Sequence, residues 1–374
     1  MKVPFFDSSA FVLDYKSDLL DDLTNFLESG QYILGSGVSR FEDFFSSVVT
    51  TNYTIGVASG LDAIVLSLEA LGVSKGDEVI TTPVSAYATT LAIQKVGATP
   101  VFADIEADSG CVDPRSVVRC ISNKTKAIVP VHLYGVACDM SSLCKVASEH
   151  QIHVIEDCAQ AHLAKHDGQA VGSFGICSAW SFYPTKNLGA LGDAGAICTD
   201  NSRVAEYCRK IRNYGQVDRY HHELAGHNSR LDELQARFLL TRLGKLRDET
   251  MRRQSIAASY YRYMTSSWLS FGVSESRAKD SVYHLFPLTC KDNQGRSELI
   301  RYLSDHGIDT LIHYPVPIYK QKAISSGPFR IDPNGTPNAN MFCEKVVSIP
   351  CNPFMRDEQV SYIINKLNAF TPAY

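Results

Sequence analysis

Residues 54–62, Thr54-Ile55-Gly56-Val57-Ala58-Ser59-Gly60-Leu61-Asp62, read as an apolar strand that turns through a serine and a glycine into a helix. The helix continues through Ala63 to Leu71, and the unit then recurs. Glu78-Val79-Ile80-Thr81-Thr82 is the next strand, Thr89 to Val96 the next helix, and Pro100-Val101-Phe102-Ala103-Asp104 the strand after it. Further strands are expected at Ala127 to Pro130, His153 to Glu156, Ala179-Trp180-Ser181-Phe182 and Gly195 to Thr199. Strands that are apolar throughout and separated by helices predict an α/β chain, with a mainly parallel sheet covered on both faces.

On the N-terminal side, Leu19, Leu20, Leu23, Phe26 and Leu27 keep helical spacing over 18–29 and stop at Gly30. Gly35 and Gly37 predict a loop, and Arg40 to Val49 a second helix. On the C-terminal side, the leucines of residues 230–265 predict one long helix linking two lobes. A smaller α+β lobe follows, with a strand at Tyr283 to Leu288, a helix at Ser297 to His306, a long loop over 325–340 and a closing helix at Asp357 to Phe370. At 374 residues the chain exceeds what one core usually serves. The expected division is a large domain over 1–250 and a small one over 251–374.

Hydrophobic residues make up 45% and charged residues 20%, an ordinary globular balance, and the formal charge of −4 gives no reason to expect nucleic acid as a partner. Eleven cysteines, scattered and without a C-x-x-C pair, read as small buried hydrophobes in a reducing compartment. The N-terminus has no signal-peptide pattern, and no stretch of eighteen apolar residues offers a membrane span. The expectation is a cytoplasmic protein that neither enters nor binds a membrane.

The chemistry enters at Ser181-Phe182-Tyr183-Pro184-Thr185-Lys186-Asn187-Leu188-Gly189, followed by Gly192-Asp193-Ala194-Gly195. One lysine stands there among small, hydroxylic and glycine residues, away from other charges. Upstream, Val154-Ile155-Glu156-Asp157 reads as a buried strand ending on an acid. Pyridoxal phosphate needs both groups: a lysine amine to form a Schiff base, and a carboxylate to keep its ring nitrogen protonated. Lys186 and Asp157 are the candidates. Alone, Lys186 would pass for a surface residue on a glycine-rich turn and Asp157 for a helix cap; their order and spacing favour the cofactor.

The Ser59-Gly60-Leu61-Asp62 junction offers free backbone N–H groups to a phosphate, though such junctions are often plain turns. Ser181, five residues before Lys186, could reach the same phosphate. Neither a G-x-G-x-x-G after a strand nor a P-loop occurs. Tyr220-His221-His222-Glu223 lacks partners at metal spacing, so no metal is expected.

These stretches resemble the DegT/StrS family of sugar-nucleotide aminotransferases. The likeness is carried by the lysine stretch, by Glu156-Asp157-Cys158-Ala159-Gln160-Ala161-His162, by Pro130-Val131-His132-Leu133-Tyr134-Gly135, by Asn228-Ser229-Arg230-Leu231-Asp232-Glu233 and by His313-Tyr314-Pro315. It covers nearly the whole chain in the family's order. It implies a fold type I pyridoxal phosphate-dependent transferase, with a mixed, mainly parallel seven-stranded sheet in the large domain and a small α+β C-terminal domain. It also implies a homodimer with shared active sites.

Residue by residue, the resemblance makes Lys186 the Schiff-base lysine and Asp157 the partner of the ring nitrogen, with Gln160 at the phenolic oxygen or ring. It gives Ser181, Gly60 and Leu61 to the phosphate, joined by Asn228 from the other subunit. Tyr183, Arg219, His313 and Tyr314 fall to the nucleotide-sugar substrate, although His313-Tyr314-Pro315 also reads as a packed turn. Three positions depart from the family pattern. Leu61 replaces a threonine, Ala194 a glycine, and Ala86 stands where an aromatic ring stacks on the cofactor, with Tyr87 beside it. Either Tyr87 takes over that contact or the stacking face is aliphatic.

The implied activity is transfer of an amino group from L-glutamate to a nucleotide-linked keto-6-deoxyhexose. The residues after Lys186 favour a dTDP-3-keto-6-deoxyhexose and a dTDP-3-amino-3,6-dideoxyhexose product, for a surface polysaccharide or a glycosylated natural product. Amination at C4, or a non-catalytic regulator that keeps the fold and cofactor, are the alternatives. Family dehydratases carry histidine in place of Lys186.

Overall fold

A computed structural model describes residues 1–324 and 327–372. Its centre is a sheet of seven main strands: β1 (Tyr53–Val57), β2 (Glu78–Thr81), β3 (Thr99–Phe102), β4 (Thr125–Val129), β5 (His153–Asp157), β6 (Cys177–Ser181) and β7 (Gly195–Thr199). The spatial order is β1-β7-β6-β5-β4-β2-β3, and β7 alone runs antiparallel to its two neighbours. An eighth, two-residue strand, Arg330–Ile331, pairs in parallel with β3 at the edge.

Alternation along each strand divides the apolar residues between two cores. Val79, Ala127, Val129 and Ile155 face a core shared with Ile64 and Leu66 of helix α3 (Gly60–Ala70). Ile80, Ile128 and Val154 face the opposite core, with Leu143, Phe342 and Val346. Each valine, leucine or isoleucine among them contributes roughly 1.5–3 kcal/mol by leaving water, which holds a sheet with no solvated face.

Helix α1 (Ser8–Ser29) begins ten residues earlier than its leucine spacing suggests. Asp7 caps it by accepting from the Ala10 amide at 2.9 Å, and Phe11 and Tyr15, one turn apart, bury against Phe238. Helix α2 is Ser36–Val49, so Gly37 belongs to its first turn rather than to a loop. The reason is the Glu233 carboxylate, which accepts from the amides of Gly35 (3.1 Å), Gly37 (2.5 Å) and Val38 (3.0 Å). A Cβ on Gly37 would lie 2.5 Å from that carboxylate.

The single helix expected over 230–265 is two, α5 (Glu233–Leu243) and α6 (Leu246–Tyr263), separate from α4 (Tyr87–Lys95) earlier in the chain. Bonds from the Gly244 amide to Thr241 O (3.3 Å) and from Lys245 to Arg242 O (3.1 Å) tighten the turn between them. The expected loop over 325–340 also holds structure, although Ser325 and Ser326 lie outside the described residues. Besides the edge strand, it contains the start of helix Pro337–Lys345, where proline occupies the first turn and so does not break it. In the C-terminal lobe, the strand expected at 283–288 is Phe286–Cys290, paired antiparallel with Leu269–Phe271 and Val346–Ile349. Ile256, Tyr260, Leu299, Ile363 and Leu367 close the core of this lobe, and Val3 joins it from the N-terminus. No helix among the described residues is long and apolar enough to cross a membrane.

Candidate active site

The site forms at the C-terminal ends of β5 and β6. Strand alternation sends Glu156 and Asp157 to opposite faces of the sheet. Glu156 is fully buried, and its two oxygens accept four bonds: from the amides of Gly172 (2.7 Å), Phe174 (2.8 Å) and Gly175 (2.8 Å), and from His132 Nε2 (3.1 Å). His132 Nδ1 accepts from the Cys138 amide at 3.0 Å, so its proton sits on Nε2, toward Glu156. His132, Glu156 and Cys158 come close enough to suggest a metal triad, but hydrogen bonds already occupy the lone pairs of Glu156.

Asp157, on the other face, looks into a pocket of about 340 Å³ lined by Gly60, Leu61, Ala86, Thr89, Gln160, Ser181, Tyr183 and Lys186, among others. Its Oδ2 accepts from Thr89 Oγ1 at 2.7 Å and its Oδ1 from the Ala159 amide at 3.1 Å. Burial still pushes its carboxyl above the ordinary range, against the pull of these donors and of Lys186.

Lys186 rides on a turn closed by bonds from its own amide to Tyr183 O (2.8 Å) and from Ala190 N to Phe182 O (2.7 Å). Gly189 is required there, because a Cβ would lie 2.4 Å from Pro184 O. Burial lowers the Lys186 amine to about 8, with Asp157 opposing the shift. A neutral amine is therefore accessible near physiological pH. The departure at Ala194 costs the loop nothing visible: Ala194 has no left-handed backbone, is buried among Phe182 and Leu188, and its carbonyl accepts from Phe182 N at 2.8 Å.

Across the pocket, Ser59 caps α3 by accepting from Asp62 N at 3.1 Å, which leaves the amides of Gly60 and Leu61 as the free donors of the first turn. A Cβ on Gly60 would lie 2.5 Å from Ser181 Cβ, so only glycine lets this turn and the Ser181 hydroxyl meet. Ser229 braces the turn from behind, donating to Asp62 Oδ2 (2.7 Å) and accepting from Ala58 N (3.2 Å). Gln160 is oriented by two tyrosines. Its Oε1 accepts from the Tyr134 amide at 2.7 Å and its Nε2 donates to Tyr314 Oη at 3.3 Å. Tyr134 Oη in turn donates to His313 O.

The structure thus brings together Gly60, Leu61, Asp157, Gln160, Ser181, Tyr183 and Lys186, with Tyr314 touching Gln160. His313 lines an adjoining cavity of about 210 Å³ with Thr185 and His284. Burial lowers the His313 imidazole to about 4 and raises the Tyr314 phenol to about 12, so both are neutral at pH 7. Tyr87 is corrected: it does not line the pocket. Its hydroxyl donates to Gln94 at 2.8 Å and its ring packs on the cluster of Phe102, Ile318 and Ile324. That leaves Ala86 facing the site, the aliphatic alternative. Arg219 and Asn228 are not brought to this pocket by their own chain; both are exposed, on and beside the hairpin Gln216–Asp218/His221–His222.

Sequence reasoning missed Thr89, Tyr134 and His284. Thr89 and His284 stand in none of the stretches that carry the family likeness, and Tyr134 stands in one, Pro130 to Gly135, with no role of its own assigned. The residues present fit pyridoxal phosphate. The Gly60 turn is a cradle that a side chain would fill, and the buried Asp157 carboxylate suits a protonated ring nitrogen.

Comparison with known proteins agrees with this geometry. The family model described as the DegT/DnrJ/EryC1/StrS aminotransferase family matches residues 14–368. The chain is 41% identical to a dTDP-3-amino-3,6-dideoxy-alpha-D-galactopyranose transaminase of Aneurinibacillus thermoaerophilus, over 98% of this chain and 99% of that protein. It is 37% identical to a pleiotropic regulatory protein of Geobacillus stearothermophilus, over 99% of both. Among solved structures it superposes on S. venezuelae DesV in complex with a ketimine intermediate, with a TM-score of 0.93, 38% identity and 98% of each chain covered. The chain belongs to the DegT/DnrJ/EryC1/StrS aminotransferase family and is a pyridoxal phosphate-dependent aminotransferase.

Proposed function

We propose that this member of the DegT/DnrJ/EryC1/StrS family moves an amino group from L-glutamate to a nucleotide-linked keto-6-deoxyhexose, specifically a dTDP-3-keto-6-deoxyhexose, giving the dTDP-3-amino-3,6-dideoxyhexose. The observation that carries the reading is one pocket holding a lysine whose amine is lowered to about 8, a buried carboxylate and a glycine-lined helix start. Identity of 41% to a dTDP-3-amino sugar transaminase supports the choice of nucleotide and of C3.

When bound, pyridoxal phosphate supplies an electron sink for the carbon that loses its proton. Lys186 would anchor the cofactor and, once released, its amine would take a proton from one carbon and return it to another. Asp157 would hold the proton on the ring nitrogen, and Gln160, fixed by Tyr134 and Tyr314, would meet the phenolic oxygen or the ring. The amides of Gly60 and Leu61 and the Ser181 hydroxyl hold the phosphate. Asn228 of a second copy completes that grip, and the exposed Arg219 pairs with the nucleotide diphosphate. Tyr183, His313 and Tyr314 meet the sugar, the last two as neutral groups that orient hydroxyls without charge. The protein works in the cytoplasm as a homodimer, divided into a large domain over 1–250 and a small one over 251–374.

The test is direct. The protein loaded with cofactor should lose its visible absorbance on adding glutamate and release 2-oxoglutarate; Lys186→Ala should do neither. Bound cofactor that glutamate never converts would sink the transaminase in favour of a regulator. Assays across dTDP- and UDP-linked 3-keto and 4-keto sugars, with the amine located by NMR, test the substrate. An amine at C4 overturns the regiochemistry alone.

A further inference from the structure

We infer that Thr89 is a positioning residue, one that keeps Asp157 ionised and aimed at the cofactor's ring nitrogen. The inference rests on the reading of the site given above. Thr89 lies in the first turn of α4 and is 1% exposed, yet it borders the pocket. A carboxylate only accepts, so the single hydroxyl proton of Thr89 is committed to Asp157 Oδ2 at 2.7 Å. Ser85 Oγ, 3.4 Å from Thr89 Oγ1, can then donate to it. With Oδ1 on the Ala159 amide, each carboxylate oxygen has one fixed donor and keeps lone pairs for the pocket.

The need for such a donor follows from burial. Asp157 is 4% exposed, and the charged groups that act on it, Lys186 and His132, favour its ionised form less than the Thr89 hydroxyl does. Dehydration favours its neutral form; the Thr89 hydroxyl is the largest influence opposing that drift. The adjacent Thr90 is a built-in contrast. It is fully buried on the same helix, and its hydroxyl has no hydrogen-bond partner among the described residues.

Removing the Thr89 hydroxyl should therefore favour protonated Asp157 and weaken proton retention on the cofactor's ring. A ring without that positive charge makes the nitrogen joining Lys186 to the cofactor more basic. The full-length protein loaded with pyridoxal phosphate is compared as wild type, Thr89→Val, Thr89→Ser and Thr90→Val. Spectral pH titration, the cofactor dissociation constant and the melting temperature are read for each.

Thr89→Val should move the spectral midpoint upward by about one pH unit and weaken cofactor binding about tenfold. Thr89→Ser should restore both, and Thr90→Val should leave the midpoint where it was. A Thr89→Val protein that folds and titrates like wild type overturns the inference, as does an equal shift in Thr90→Val. Should Thr89→Val not fold, Thr89→Ala carries the same expectation. A wild type that shows no lysine-bound cofactor band overturns instead the reading of Lys186 on which this rests.

Discussion

The turn that carries Lys186 and the hairpin that carries Arg219 both hold residues proposed for the site, yet they are held in opposite ways. The lysine turn is gripped from inside. Arg242, 3% exposed, donates to Gly189 O (3.1 Å) and Asn187 O (3.2 Å) and pairs with Glu249 at 2.7 Å, between the rings of Phe11 and Tyr15. The Asn187 side chain donates to Val282 O at 2.9 Å and accepts from His284 at 3.1 Å, tying the turn to the C-terminal lobe. The hairpin is shaped by its own backbone. A Cβ on Gly215 would lie 1.9 Å from Leu224 O, and Arg219 stacks on its neighbour Tyr220, which is 78% exposed. The chain's interior fixes the lysine turn, while the hairpin presents its side chains outward.

The strongest way to break this contrast is Arg242→Met, which leaves Glu249 buried without its cation. It should cost about 3–5 kcal/mol in denaturant titrations. A loss below about 1 kcal/mol would show that the turn is not braced from inside.

Acid tests the same core. His162 packs against Trp180 and Phe182, and burial lowers it to about 3. A depressed imidazole contributes stability that is fully present above its unfolded value near 6.5 and is lost as pH falls toward 3. Between those two values stability should drop by about 1.4 kcal/mol per pH unit. His162→Phe should flatten the profile measured by melting at pH 7 and pH 4.5; an unchanged slope removes His162 from the account.

On the hairpin the expectation inverts. Arg219→Ala should leave stability within about 0.5 kcal/mol while raising the KM for the nucleotide sugar about tenfold. An unaltered KM takes the hairpin out of the site. The smallest effect belongs to Tyr220, whose φ of +68° suits glycine better than an aromatic residue. Tyr220→Gly should gain up to about 1 kcal/mol, and a measured loss would mean that the ring packs on something beyond its own chain.

Much of the site was legible because its signals are local. Lys186, Asp157 and Gly60 stand at strand ends or strand–helix turns, where a few neighbouring residues fix both position and chemistry. The partners were not legible. Thr89 meets Asp157, Tyr134 meets Gln160 and Arg242 meets the lysine turn only because separate strands and helices converge. Helix ends failed for the same cause: Gly37 looked like a loop until Glu233, far along the chain, supplied the acceptor for its amide.

The alternation of apolar strands with helices, the lysine turn and the acid-ended strand were determined by the sequence alone, since each depends on side-chain periodicity or on backbone constraints within a few residues. The tertiary structure decided that Tyr87 turns away, that Ala86 faces the pocket and that Thr89 holds the acid. Those choices depend on which rotamer finds an apolar cluster or a buried acceptor. No stretch of sequence contains that information until the sheet has brought its distant parts into contact.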